Sequence, residues 1–205
     1  MIERGRVHIN ETPAMLGARF SADDSITLDG KPIATKQAKY RYIALHKPAG
    51  YLCSRKSQGG DPTIYELLPA DLRPLKPVGR LDRDSSGLIL LTNNGDFAFR
   101  MTHPKFSKTK LYEATLDQDL APLHQQMISD FGVDLEDGRS QLGLMRLNEA
   151  NRTEWQVTMR EGRNRQVRRT FSSLGYTVTR LHRTHFGDYS LGDIKPGEYE
   201  LTDIR

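Results

Sequence analysis

The chain has 205 residues, 37% of them hydrophobic and 27% charged, with 30 lysines and arginines against 26 aspartates and glutamates for a net charge of +4. This length supports one substantial core and a small appendage, and the composition excludes a disordered, collagenous or disulfide-stapled chain. No apolar run reaches the ~18 residues of a membrane helix, no signal-peptide apolar region opens the chain, and the one cysteine, Cys53, excludes an internal disulfide and a thiolate metal site, so a cytoplasmic protein is expected.

Arg6-Val7-His8-Ile9-Asn10 and Ser25-Ile26-Thr27-Leu28 read as short strands, and Asp29-Gly30 after the second is a hairpin signal. Residues 34–39 read as a polar linker. Residues 40–45 then form a strand ending at His46-Lys47-Pro48-Ala49-Gly50, a turn set by proline and glycine. Residues 54–62 are polar and glycine-containing, hence a surface loop, and residues 64–68 make a short amphipathic helical turn before Pro69.

The string Gly79-Arg80-Leu81-Asp82-Arg83-Asp84-Ser85-Ser86-Gly87 runs without a gap into Leu88-Ile89-Leu90-Leu91-Thr92. Four apolar residues closed by Asn93-Asn94-Gly95 predict a strand buried on both faces and a tight turn after it. The loop entering such a strand sits at the edge of a core, where a carboxylate is partly desolvated and aimed. Composition alone leaves the loop open between turn chemistry, with Asp and Ser bonding their own backbone, and a site. A phosphatase DxD at Asp82 and Asp84 is disfavoured, because that motif ends a hydrophobic strand and Pro77-Val78-Gly79-Arg80 does not make one.

Residues 96–101 should be helical, with Phe97 and Met101 facing the core. Lys105, Lys108 and Lys110 lead into a strand at 111–116, where Tyr112 by itself reads as a half-buried packing residue. Residues 120–131 predict a helix and 133–147 an irregular stretch with strand content. Residues 155–160 alternate, so Trp155, Val157 and Met159 share a sheet face. In Glu161-Gly162-Arg163-Asn164-Arg165-Gln166-Val167-Arg168-Arg169, helical spacing buries Val167, Phe171 and Leu174 and puts Arg165, Arg168 and Arg169 on the neighbouring face. Residues 178–183 form a strand with cations on alternate sides. His182 and His185 have no third ligand in view, so no metal site is expected.

Three of these strings together resemble the ribosomal RNA pseudouridine synthases of the RsuA, RluB, RluE and RluF family. The signature G/H-R-L-D-x-D-T/S-S/T-G matches residues 79–87, K-P-x-G matches Lys47 to Gly50, and G-R-x-R-Q-V-R-R matches residues 162–169, with K-x-Y at Lys110 to Tyr112. The likeness spans residues 40–201. Near the start, G-R-V-x-I-N and D-S-I-x-L-D-G-K-P-I resemble the later half of an S-four-type RNA-binding domain, without the helices that open it; a hairpin that packs on the core is the alternative there.

The resemblance implies an α+β fold, a catalytic core at 40–205 built on a mixed, largely antiparallel sheet flanked by helices and loops, and a partial S-four-type module at 1–34. It implies isomerisation of a uridine in ribosomal RNA without cofactor or metal, by an ionised carboxylate at Asp82, paired with Arg168, and by Tyr112 stacking on the extruded base. Arg80, Arg83, Lys110, Arg163, Arg165 and Arg169 are the implied RNA contacts, with Arg80 filling the vacated place in the stack. Lys47 to Gly50 is implied to shape the site without reacting, and Asp84 and Ser85 to fix the loop. A monomer is expected. The competing reading is a non-catalytic ribosomal RNA-binding or assembly protein of the same fold.

Overall fold

The computed structural model describes residues 1–21, 23–33 and 39–204, so the expected linker lies, Lys39 apart, outside the described residues. The chain divides into two compact units, Met1–Lys39 and Tyr40–Arg205.

The first unit is a four-stranded antiparallel sheet of β1 (Val7–Ile9), β2 (Thr12–Pro13), β3 (Ile26–Leu28) and β4 (Lys31–Pro32), in the order β2-β1-β3-β4. Asp29 (φ 51°) and Gly30 (φ 72°) both take left-handed conformations, which closes the β3–β4 hairpin where the Asp-Gly signal put it. Arg6 locks that turn with two bonds to the Asp29 carboxylate, at 2.8 and 2.5 Å. The strands are short and only half-buried, and Ala14 is the sole core residue of the unit among those described.

The second unit runs β5 (Tyr42–Lys47), β6 (Lys76–Val78), β7 (Ser86–Thr92), α1 (Gly95–Thr102), β8 (Lys110–Leu116), α2 (Pro122–Gln126), β9 (Val133–Leu135), β10 (Gly138–Ser140), β11 (Gly143–Arg146), β12 (Glu154–Met159), α3 (Gln166–Ser172), β13 (Val178–Phe186), β14 (Tyr189–Ser190) and β15 (Tyr199–Leu201). Its main sheet has the order β11-β12-β8-β13-β7-β5-β15, with β14 on β13 and β6 on β7. Among the described residues only the β13–β7 pair of this sheet is parallel, so the sheet is mixed and largely antiparallel, with helices on its faces.

Strand β7 explains the arrangement. Ile89 and Leu91 enter one apolar cluster with α3 residues Val167 and Phe171, while Leu88 and Leu90 enter a second with α1 residues Phe97 and Met101. Alternation along a strand therefore feeds two cores, one per face, and each fully buried Leu or Ile contributes about 1.5–3 kcal/mol. On one side β7 pairs with β5 along its length. On the other, β6 takes Leu90 to Thr92 and β13 takes Ser86 and Gly87. The chain from β6 to β7 is thus held to the short stretch 79–85 and emerges where β13 meets the sheet.

Three expectations shift. Strand β5 continues through His46 and Lys47, which pair with Leu88 and Gly87, so the turn begins only at Pro48. The predicted helix at 120–131 is a short α2 that passes into a single π-turn at Met127–Phe131, where Ser129 Oγ donates to the Gln125 carbonyl at 2.6 Å and Gln141 caps the Ser129 carbonyl at 2.7 Å. Leu174 packs on the core from beyond the end of α3.

Candidate active site

The loop 79–85 is pinned through its backbone as well as its side chains. Ser85 N–H donates to the Asp82 carbonyl at 3.1 Å, closing a turn, and Gly50 N–H donates to the Arg83 carbonyl at 2.7 Å. Lys47, fully buried at the end of β5, sends its ammonium to the carbonyls of Pro48 (2.9 Å), Arg83 (3.2 Å) and Ser85 (2.6 Å). Burial pushes this lysine down to about 8, against the pull of Cys53, Asp84 and Asp82. The K-P-x-G string therefore acts as an anchor: its lysine ties three carbonyls and its glycine supplies an amide. Cys53 is half-buried; its Sγ accepts from Leu81 N–H at 3.4 Å, and burial raises its thiol pKa.

The two carboxylates of the loop have different surroundings. Asp84 takes both nitrogens of the Arg165 fork at 3.1 Å and has Arg168 Nε at 3.6 Å, and the Arg165 hydrogen bonds hold its carboxyl down at about 2. Asp82 has one looser ion pair, Oδ2 to Arg165 Nη1 at 3.8 Å, and its side chain is 28% exposed. This corrects the expected partner, since Arg168 does not pair with Asp82. The backbone claims its fork instead, Nη1 donating to the Val178 carbonyl at 2.6 Å and Nη2 to the Asp84 carbonyl at 3.0 Å. Arg165 reaches both carboxylates because it precedes α3 in a left-handed conformation (φ 46°), off the helix face predicted for it.

Asp82 opens on a cavity of about 320 Å³, within the range of small-molecule sites. The walls are the loop 79–82 with Ser85, the end of α1 through Pro104, Lys108, Lys110 and Tyr112, residues 159–167, and Leu181, Arg183 and Phe186 of β13. Tyr112 is buried in the wall and Arg80 is exposed at the rim. Lys110 Nζ donates to the Glu161 carbonyl at 3.0 Å and lies 5.3 Å from the Phe186 ring centre; burial, aided by the Arg183 charge, pushes it down to about 8.

Other implied RNA contacts are engaged inside the protein. Arg163 donates to the carbonyls of Asp137, Gly138 and Arg139 at 2.8 to 3.0 Å, and Arg169 pairs with the Asp137 carboxylate at 2.6 Å, so both brace the β9–β10 hairpin. Arg83 pairs with Asp61 of the 54–62 loop at 3.0 Å and keeps an exposed side chain. Buried Gln166 joins the same framework through Glu161 and Ser140. His182 Nδ1 lies 2.8 Å from Ser86 Oγ, and His185 Nδ1 is 3.0 Å from Thr184 Oγ1.

Sequence reading passed over two residues of the site. Gly87 (φ 106°) lies so close to β13 that a Cβ there would meet the Arg183 carbonyl oxygen at 2.2 Å, so the signature's last glycine is a packing requirement. Arg183 is 2% exposed in the cavity wall. The signal for it was its place two residues from Leu181, which puts both on one side of β13, while a bulge between Arg183 and His185 brings Phe186 beside it.

A family model for RNA pseudouridylate synthases matches residues 41–173. The chain is 32% identical over 208 residues to ribosomal large subunit pseudouridine synthase B of Bacillus subtilis, aligning 98% of this chain and 84% of that one. With ribosomal small subunit pseudouridine synthase A of Yersinia pestis it shares 34% identity over 196 residues, 95% of this chain and 83% of the other. A crystal structure of a pseudouridylate synthase superposes with a TM-score of 0.75 at 31% identity, covering 98% of this chain and 87% of that one. With the signature loop, the sheet and these likenesses agreeing, the chain belongs to the RNA pseudouridylate synthases, isomerases of uridine in RNA.

Proposed function

We propose that this enzyme converts a specific uridine of ribosomal RNA to pseudouridine in the cytoplasm, as a monomer, with Asp82 acting on the sugar. The observation that carries the reading is the inequality of the two carboxylates: Asp84 is consumed by Arg165, while Asp82 keeps an accessible oxygen pair on the cavity that Tyr112 lines. Both relatives compared above are named for a ribosomal subunit, one the large and one the small. Residues 40–205 would carry the reaction, and 1–34 would serve as a partial S-four-type RNA-binding module.

Breaking the bond from C1′ to N1 builds positive charge at C1′, as in glycoside hydrolysis, so an ionised carboxylate beside the ribose is the minimum equipment. Asp82 serves equally for attack at C1′ or for removal of the C2′ proton. Arg165, 3.8 Å away, is the cation beside it. The base must first leave the RNA stack at a cost of a few kcal/mol, with Arg80 at the rim to fill the gap and Tyr112 to stack on the uracil. Lys110 would meet the backbone at the cavity edge. Arg168 acts at one remove, by holding the Asp84 carbonyl.

The reading is tested by incubating the protein with ribosomal RNA transcripts and mapping pseudouridine by carbodiimide primer extension. A stop at one uridine is expected; footprint protection without a stop would mean binding without isomerisation. Tyr112→Phe should still bind and stack but stall after bond cleavage, because the phenol is the group placed to help remove the C5 proton. Full pseudouridine yield from that variant counts against the proton role. Lys47→Met should lower turnover about 10- to 100-fold, since a 1 Å displacement of the loop is enough for that. Its thermal midpoint should fall as well, because the Pro48, Arg83 and Ser85 carbonyls lose this donor. Unchanged turnover would show that the Asp82 loop does not depend on the anchor.

A further inference from the structure

Arg183 has a feature that neither packing nor the roles given above use. Its Nε donates to the Leu88 carbonyl at 2.8 Å, and its Nη1 lies 3.5 Å from Tyr112 Oη. Its Nη2 is buried and has no hydrogen-bond partner among the described residues, and no carboxylate there forms an ion pair with it. A guanidinium does not give up its proton in a protein, so this is a fixed buried cation with an open donor. Such groups are rare because an unmet charged donor is costly; among the described residues the Nε atoms of Arg163 and Arg168 share this state, but only in Arg183 is the open donor a terminal nitrogen. The guanidinium carbon sits 5.0 Å from the centre of the Phe186 ring and 5.9 Å from that of Tyr112, in the wall of the cavity that Asp82 also lines.

We infer that Arg183 is a catalytic residue that stabilises the departing base, its free Nη2 donating to a uracil carbonyl oxygen as that base becomes an anion. The inference rests on the synthase reading and assigns it a second charged partner. When the C1′–N1 bond breaks, its electron pair goes to N1 and spreads onto O2 and O4. The base turns, C5 bonds to C1′, the C5 proton leaves to a base and N1 takes up a proton, so the isomer balances. A preplaced cation at the developing oxyanion lowers the barrier to the first of these events, where Asp82 meets only the sugar side. The other buried cations are less free for this work: Lys47 is shared among the Pro48, Arg83 and Ser85 carbonyls, Lys110 is bonded to that of Glu161, and Arg163 and Arg168, each with one Nε that makes no hydrogen bond, commit both terminal nitrogens to backbone carbonyls. The ligand class is thus a planar, delocalised anion, and the two rings beside the guanidinium suit a flat face.

The test is single-turnover consumption of the target nucleotide in RNA carrying uridine or 5-fluorouridine there, with RNA affinity measured alongside. Fluorine at C5 withdraws electrons, so that base leaves as a better-stabilised anion and needs less help. Arg183→Gln should slow uridine about 100-fold, the effect of one oxyanion donor, slow 5-fluorouridine several-fold less, and leave affinity within about threefold. Comparing two substrates within one variant cancels the fraction of folded enzyme. Should Arg183→Gln not fold, Arg183→Lys supplies the same ratio, expected between wild type and full loss. Equal slowing on both RNAs, or a loss confined to affinity as a phosphate contact would give, overturns the inference. A wild-type protein that converts neither RNA instead overturns the synthase reading itself.

Discussion

Asp82→Asn is expected to bind RNA as tightly as the wild type and to make pseudouridine at least about 10³-fold more slowly, equivalent to about 4 kcal/mol of barrier. Asparagine has the size of aspartate but neither attacks a sugar carbon nor accepts a proton from one at neutral pH. The loop should survive the change, because its turn is closed by Ser85 N–H on the Asp82 backbone carbonyl and its outer carbonyls by Lys47, Gly50 and Arg168. Asp84 keeps Arg165 in place through two 3.1 Å bonds that the substitution does not touch. Filter binding and carbodiimide mapping on the same preparation separate affinity from turnover. Asp84→Asn, in contrast, should lower stability and activity together, since it loosens Arg165 and spares the reacting group. Near-normal turnover by Asp82→Asn would remove the carboxylate from the mechanism.

Gly87→Ala should cost about 3 kcal/mol or more, a large share of the 5–15 kcal/mol typical of a domain. Two effects act at once. The backbone there has φ 106°, a region that an L side chain adopts only under strain, and the added Cβ would lie 2.2 Å from the Arg183 oxygen and 2.6 Å from its nitrogen. Those atoms are backbone in a paired strand and cannot swing aside, so β7 and β13 would have to separate where they pair in parallel. Urea unfolding measures the loss directly, and a change under about 1 kcal/mol would show that the strands tolerate a wider spacing. Gly95→Ala is the control, because a Cβ there meets nothing within 4 Å.

Much of the core was legible because it follows from period alone. The run Leu88 to Leu91 required a strand buried on both faces, and two apolar clusters receive its alternate residues. Phe97 and Met101 at helical spacing faced the core as expected. The site's ion pairs were less legible. Four arginines between 163 and 169 and two aspartates at 82 and 84 admit many pairings, and the outcome depends on a left-handed residue before α3 and on the Val178 carbonyl, neither of which spacing reveals. Lys47 looked like the start of a turn because lysine is almost never fully buried, yet three convergent carbonyls make that position its place. Arg183 was hidden for a related reason: alternation from Leu181 puts it on the buried side, where an arginine is as unexpected as a lysine, and only a bulge after it brings Phe186 to the same place.

The most direct test of the account is a crystal structure of the Asp82→Asn protein bound to RNA that contains its target uridine. The account predicts that nucleotide outside its stack and inside the cavity, with residue 82 beside C1′, the uracil against the Tyr112 ring and a base carbonyl on Arg183. A uridine still stacked in its helix, or seated with its ribose turned away from residue 82, would contradict it.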